Sequence, residues 1–277
     1  MLESLFPETK RTASSDKILV GTSGFSYDDW IGPFYPPGTK KTEMLSIYSA
    51  HFSTVEINYT FYTMPTVSTM QGLVRKSDGG IIFSVKLNQD ITHKPSEVSP
   101  ALFEKFLYGI EPLKSAGVLG AILAQFPWGF KNVPENWERL EELRNQLPGQ
   151  DVVVEFRHKS WAEPEVEGRL KDLGLGFCIV DEPQMASLMP QRLWRTTDIA
   201  YLRFHGRNYK QWFKGQSGSE RYNYLYSEEE LAEWVPRIWD LAGEAKKVYA
   251  YLNNHPIGQA IVNAKMLLDM LTLDFNR

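Results

Sequence analysis

The chain has 277 residues, 43% of them hydrophobic and 23% charged, which suits one large domain or two small ones with ample core. A net charge of −4 gives no global basic field to attract nucleic acid or a membrane surface, so any recognition of an anion must be local. The lone cysteine, Cys178, excludes a disulfide within one chain and argues against a cysteine zinc site. No run approaches the ~18–20 apolar residues of a membrane span, and no membrane partner is expected. Residues 1–17 are polar and lack the apolar stretch of a signal peptide, so they are expected to form a flexible tail in a cytoplasmic protein.

Eight short apolar runs alternate with helical patterns. The first run, 18–22, leads to a helix that Thr42 can cap, with Met44, Leu45, Ile47 and Tyr48 along it. The second, 54–58, precedes a short helix over 66–76. The third, 81–86, precedes 101–116, where Phe103, Phe106, Leu107 and Ile110 share a face. The fourth, 121–126, is followed by 136–147, begun by Pro134 and stopped by Pro148. The fifth, 152–157, leads to a helix over 163–173 that stops at Gly174. The sixth, 176–181, is followed by weak helical character over 184–189. The seventh, 199–205, precedes a helix over 228–241, and the eighth, 248–253, precedes the closing helix over 257–271. Eight alternating units of this length predict a single (β/α)8 TIM-type barrel over 18–277, since such barrels need about 250 residues. An open doubly wound sheet is the alternative, but Gly21-Thr22-Ser23-Gly24 is not its glycine-rich phosphate loop.

Alternation along each strand assigns the barrel interior. Ala200, Leu202 and Phe204 face the helices, so Tyr201, Arg203 and His205 face inward. The same reading turns Glu56, Asn58, Ser84, Lys86, Gln125, Glu155, Arg157, Asp181, Tyr249, Tyr251 and Asn253 inward, and Cys178 outward. The charged and amide groups fall in the C-terminal halves of their strands, the end of a barrel that carries active sites. A purely structural network of acids and bases is the bland alternative. Buried ion pairs stabilise poorly, because desolvation offsets most of the Coulomb gain.

Three ligand chemistries can be weighed. Glu155, Asp181 and His205 could ligate a divalent ion as in a metal-dependent phosphodiesterase, but Lys86, Arg157 and Arg203 would repel it. The expected reading is therefore an anion pocket without metal or cofactor. Arg157, Arg203 and Lys86 hold the anion, with Asn58, Gln125, Asn253, Tyr62, Arg207 and Trp161 as further substrate contacts. Glu155, Glu56, His205 and Asp181 are the acid–base candidates for a hydrolase or lyase. A glycosidase would need a carboxylate separation that sequence does not provide. The stretch 205–226 interleaves Arg207, Lys210, Lys214 and Arg221 with Tyr209, Trp212, Phe213, Tyr222, Tyr224 and Tyr226, and Gly215 and Gly218 are its flexion points. Such a segment suits a lid over a small anion, or a stacking surface in a non-catalytic nucleic-acid-binding protein.

Several segments carry a family resemblance. They include Gly21-Thr22-Ser23-Gly24-Phe25-Ser26-Tyr27, Val55-Glu56-Ile57-Asn58, Phe83-Ser84-Val85-Lys86, Gln125-Phe126-Pro127, Val154-Glu155-Phe156-Arg157-His158, Tyr201-Leu202-Arg203-Phe204-His205-Gly206-Arg207 and Asn253-Asn254-His255. In these the chain resembles the YecE-like family, domain of unknown function 72. The resemblance spans roughly residues 18–270 and implies a TIM barrel with no settled reaction. It also implies a likeness to the barrel of metal-dependent abasic-site endonucleases, but this sequence lacks their dense His, Asp and Glu ligand set, so that likeness extends to fold alone.

Overall fold

Parallel strands pair in chain order, and the last returns to the first. In a computed structural model, which describes residues 16–213 and 220–275, the strands are β1 (Ile18–Ser23), β2 (Thr54–Ile57), β3 (Ile82–Lys86), β4 (Leu119–Gln125), β5 (Val152–Glu155), β6 (Gly176–Asp181), β7 (Ile199–Phe204) and β8 (Lys247–Leu252). They form a closed barrel in the order β1 to β8, sealed by the register Leu19↔Tyr249 and Gly21↔Tyr251. The helices are α1 (Met44–His51), α2 (Val67–Lys76), α3 (Gln89–Thr92), α4 (Pro100–Ser115), α5 (Pro134–Gln146), α6 (Pro164–Leu173), α7 (Glu228–Ala232), α8 (Trp234–Glu244) and α9 (Gln259–Phe275). Most of the expected tail, together with Lys214, Gly215 and Gly218, lies outside the described residues.

The strands read as apolar runs because both faces are buried. Val55, Val85, Val154, Leu202 and Ala250 point to the helix layer and are fully or almost fully buried. Inside, three tyrosines fill the lower barrel. Tyr251 donates to Ser84 Oγ at 2.9 Å and shares a hydrogen bond of 2.6 Å with Thr54 Oγ1, while Tyr201 donates to Glu56 Oε2 at 2.6 Å. Gly21 allows β1 to approach β2, since a Cβ there would collide with the Thr54 carbonyl. A bulge in the β3–β4 pairing, between Phe83↔Leu119 and Val85↔Ile122, restores the parity that turns Gln125 inward.

Several expectations are corrected. Thr42 does not cap α1, whose N-cap is Glu43 without a side-chain bond, whereas Thr66 does cap α2 by accepting from Thr69 N–H. Residues 184–189 form no helix, so an irregular segment joins β6 to β7. The parity of β6 is opposite to the expected one. Cys178 faces inward, with Sγ 3.8 Å from Glu155 Oε2. Asp181 therefore faces outward, where it accepts from Trp234 Nε1–H at 2.9 Å and Tyr226 O–H at 2.8 Å. A one-residue slip reverses every side chain of a strand. Arg207 follows Asp181 to that outer face, with Nη2 2.7 Å from Asp181 Oδ2. Gly206, at φ 88°, makes the turn that takes it there.

Trp161, expected as a substrate contact, lies outside the barrel instead. Its ring stacks 4.1 Å from Phe156, whose own side chain faces the helices, and its Nε1–H donates to the Phe130 carbonyl at 2.7 Å. Trp161→Ala should cost about 3–5 kcal/mol of stability, the usual price of emptying a large aromatic site. Urea denaturation measures this. A midpoint indistinguishable from wild type would show that the stack is not part of the core.

Candidate active site

The site begins with Arg203, which β7 holds in the barrel interior, almost without exposed surface. Nη1 donates to Glu155 Oε2 at 2.6 Å, and Nη2 to Glu56 Oε1 at 2.7 Å and Ser23 Oγ at 3.4 Å. One guanidinium thus bridges the ends of β2 and β5 across the barrel. The second oxygen of Glu155 meets Arg157 Nε at 2.8 Å and lies 3.4 Å from His205 Nε2. Arg157 Nη1 then reaches Glu182 Oε2 at 3.3 Å. Glu56, Glu155, Arg203 and His205 are buried, and Arg157, with 12% of its side chain exposed, reaches the rim.

These neighbours separate the protonation states of the cluster. Burial alone would raise Glu155, but Arg157 and Arg203 overcome it and hold the carboxylate well below its usual range. Glu182 has only one such partner, and burial pushes it up to about 8. Burial, with Arg157 next in effect, pushes His205 down to about 3, so its ring is neutral at pH 7. His205 Nδ1 lies 3.0 Å from Asn253 Nδ2, which can donate to it.

Lys86 stands apart. Its Nζ donates to Gln125 Oε1 at 2.9 Å and lies 4.2 Å from the centre of the Phe61 ring. The Gln125 amide is fixed by its own donation to the Phe126 carbonyl at 2.6 Å. Lys86 keeps an open edge, but its amine is packed against these groups. Burial first, then the like charge of Arg203, lowers it to about 7, against the opposing pull of Glu155 and Glu56. His93, 5.0 Å from the Phe61 ring, is lowered to about 4 by burial and by Lys86.

Glu56, Glu155, Arg157, Arg203 and His205 therefore form one bonded cluster, with Asn253 attached through His205. Lys86 and Gln125 form a second pair, within electrostatic reach of the first. Asn58 follows β2 toward the rim, where Tyr62 is 73% exposed. Asp181, Arg207 and Trp161 are not part of the cluster. One group, Glu182, has no place among the candidates read from the sequence, and two loop aromatics, Tyr27 and Tyr222, are not assigned to the site by alternation. Glu182 would have been found by a correct count along β6. Tyr27 stacks on His255 at 4.7 Å and donates to the Ser23 carbonyl at 2.7 Å. The Tyr222 ring lies 5.9 Å from His205. These two come from loops, where alternation gives no signal. Buried Asn58 Oδ1 and Glu182 Oε1 have no hydrogen-bond partner among the described residues. No group of three His, Cys, Asp or Glu is disposed to hold a metal ion among them. The Glu155–Asp181–His205 set is split by the outward turn of Asp181.

Arg203→Met should cost about 3–5 kcal/mol at pH 7, because it leaves two buried carboxylates short of a counter-charge. The folded Glu155 pKa lies below the unfolded value of about 4.3, so its stabilisation is complete above that value and fades as pH falls through the folded one. The deficit of the variant should therefore narrow only as pH falls below about 4.3, and should be smaller at about pH 3 than at pH 7. Urea titrations at both pH values decide this, and a deficit unchanged by pH would contradict the assigned pairing.

The family model described as protein of unknown function DUF72 matches residues 19–277. The UPF0759 protein YunF of Bacillus subtilis (strain 168) is 30% identical over 274 residues, which cover 94% of this chain and 96% of that one. Among solved structures, a DUF72 family protein from Thermotoga maritima MSB8 is 41% identical with a TM-score of 0.85, over 92% of this chain and 99% of that one. Another, from Enterococcus faecalis V583, is 25% identical with a TM-score of 0.83, over 92% and 95% of the two chains. With a family model over nearly its whole length and a relative of matching extent, this chain belongs to the DUF72 family.

Proposed function

We propose that the chain is an enzyme of hydrolase or lyase type that binds a small anionic ligand, phosphorylated or nucleotide-like, at the C-terminal rim of its barrel. The observation that carries this reading is Lys86. Among the described residues it is the inward-facing rim cation without a carboxylate ion pair, and Arg157 acts on it through the field of the same interior. Arg203 and Arg157 are offset by Glu56 and Glu155, while Glu182 at about 8 is largely an uncharged acid at pH 7. An arriving anion therefore meets a site with a cation to spare, and it favours the protonated form of Lys86.

Acid–base roles follow from the separated protonation states. Glu182 is the proton donor and Lys86, in its amine form, the acceptor. Glu155 stays ionised and positions Arg157 and His205. Asn58, Gln125, Asn253 and Tyr62 orient the ligand. The nucleic-acid reading of the stretch 205–226 ranks second, because its Arg207 is spent on Asp181 rather than presented to a phosphate.

Isothermal titration with inorganic phosphate, pyrophosphate, ribose 5-phosphate and nucleoside monophosphates tests the proposal. At least one should bind saturably at pH 6.5, with affinity falling at least tenfold in Lys86→Met and in Arg157→Met. Affinity should also fall as pH rises past about 7, where Lys86 loses its proton. Equal affinities in wild type and both variants would overturn the assignment.

A further inference from the structure

We infer that Lys86 is an amine nucleophile, and that it forms an imine with a small carbonyl compound bearing an anionic group. This inference rests on the proposed function and names the substrate class of that same site. Anion binding alone explains the position of Lys86 but not its surroundings. A lysine built only to hold an anion works best as a permanent ammonium. Lys86 instead has an amide for its bonded partner, at 2.9 Å, and an aromatic face at 4.2 Å.

The charged groups around it point the same way. Arg203 and Arg157 repel its proton, and Glu155 and Glu56 attract it, but both carboxylates are already bonded to arginines. His93, which also feels Lys86, is neutral at pH 7. With a value of about 7, about half of the Lys86 amines are unprotonated at that pH, against roughly one in 2,500 for an ordinary lysine. Only the unprotonated amine can attack a carbonyl, and desolvation beside another cation is a known route to such a lysine.

Unpartnered polar atoms supply the independent sign of a ligand. Asn58 lies one residue beyond the Ile57↔Val85 pair, so it stands level with Lys86 on the adjacent strand, and its buried Oδ1 has no partner among the described residues. Buried Glu182 Oε1 is in the same condition. A ligand that donates a hydrogen bond beside Lys86 would satisfy Asn58 Oδ1.

The chemistry balances without a co-reactant. The Nζ lone pair adds to the carbonyl carbon, forming a C–N bond as the C=O π bond breaks. Proton transfer gives a carbinolamine. The C–O bond then breaks, and the oxygen departs as water with the two protons that Nζ carried. The imine nitrogen takes one proton from solvent to become an iminium, an electron sink for cleavage or proton loss at the adjacent carbon.

Reductive trapping tests this on the full chain. Glyoxylate, pyruvate and dihydroxyacetone phosphate are each incubated with the protein and sodium cyanoborohydride, followed by peptide mapping. At least one should label Lys86 at least tenfold faster than the exposed Lys246, and the adduct should be absent from that position in Lys86→Arg. Labelling spread over surface lysines with Lys86 unmodified, for all three probes, would overturn the inference. If anions still bind saturably in that case, and Arg157→Met still weakens them, the nucleophile fails alone. If they do not, the anion site fails with it.

Discussion

One buried guanidinium governs the upper half of this barrel. Arg203 rises from β7 and bonds Glu56 on one side and Glu155 on the other, at 2.7 and 2.6 Å. Without it Glu56 would lose its cationic partner and Glu155 one of its two, and burial of an unpaired charge is far costlier than burial of a bonded one. An apolar layer would fill the same volume with less desolvation. The arrangement is therefore hard to account for as stabilisation, and easier as the fixed field of a working site.

That field has consequences several side chains away. Glu155, saturated by arginines, stays ionised. Glu182, at the far end of the Arg157 bridge, receives too little compensation and keeps its proton. Lys86 is close enough to feel two arginines but is bonded to neither carboxylate, so its ammonium is weakened. The cluster and the Lys86–Gln125 pair next to it thus yield an anion, an acid and an amine near neutral pH. This is the separation of protonation states from which acid–base and covalent chemistry are assembled.

Much of this was legible in the sequence. Eight apolar runs with helical spacers dictated the barrel, and alternation sent Glu56, Lys86, Gln125, Glu155, Arg203 and Asn253 to one end. The same rule misled at β6. That strand is apolar on both faces, so nothing in Gly176–Asp181 marks which parity is inward except the charge at its end. Asp181 and Glu182 are both acidic, and the wrong one was turned into the barrel. Trp161 and Arg207 failed for a related reason. Each follows a strand end by a few residues, where a turn can send a side chain to either face. Tyr27, Tyr222 and His255 meet at the rim from separate loops, and only tertiary packing brings them together.

The claim on which the rest depends is that Lys86 is a weakened base within electrostatic reach of an otherwise neutralised cluster. Selective isotope labelling of lysine side chains, with NMR titration of the Lys86 ε-position in the wild-type chain, measures it directly. The account predicts a midpoint near the value of about 7 set by burial and the neighbouring arginines. A midpoint near the ordinary lysine value of about 10.4 would contradict it.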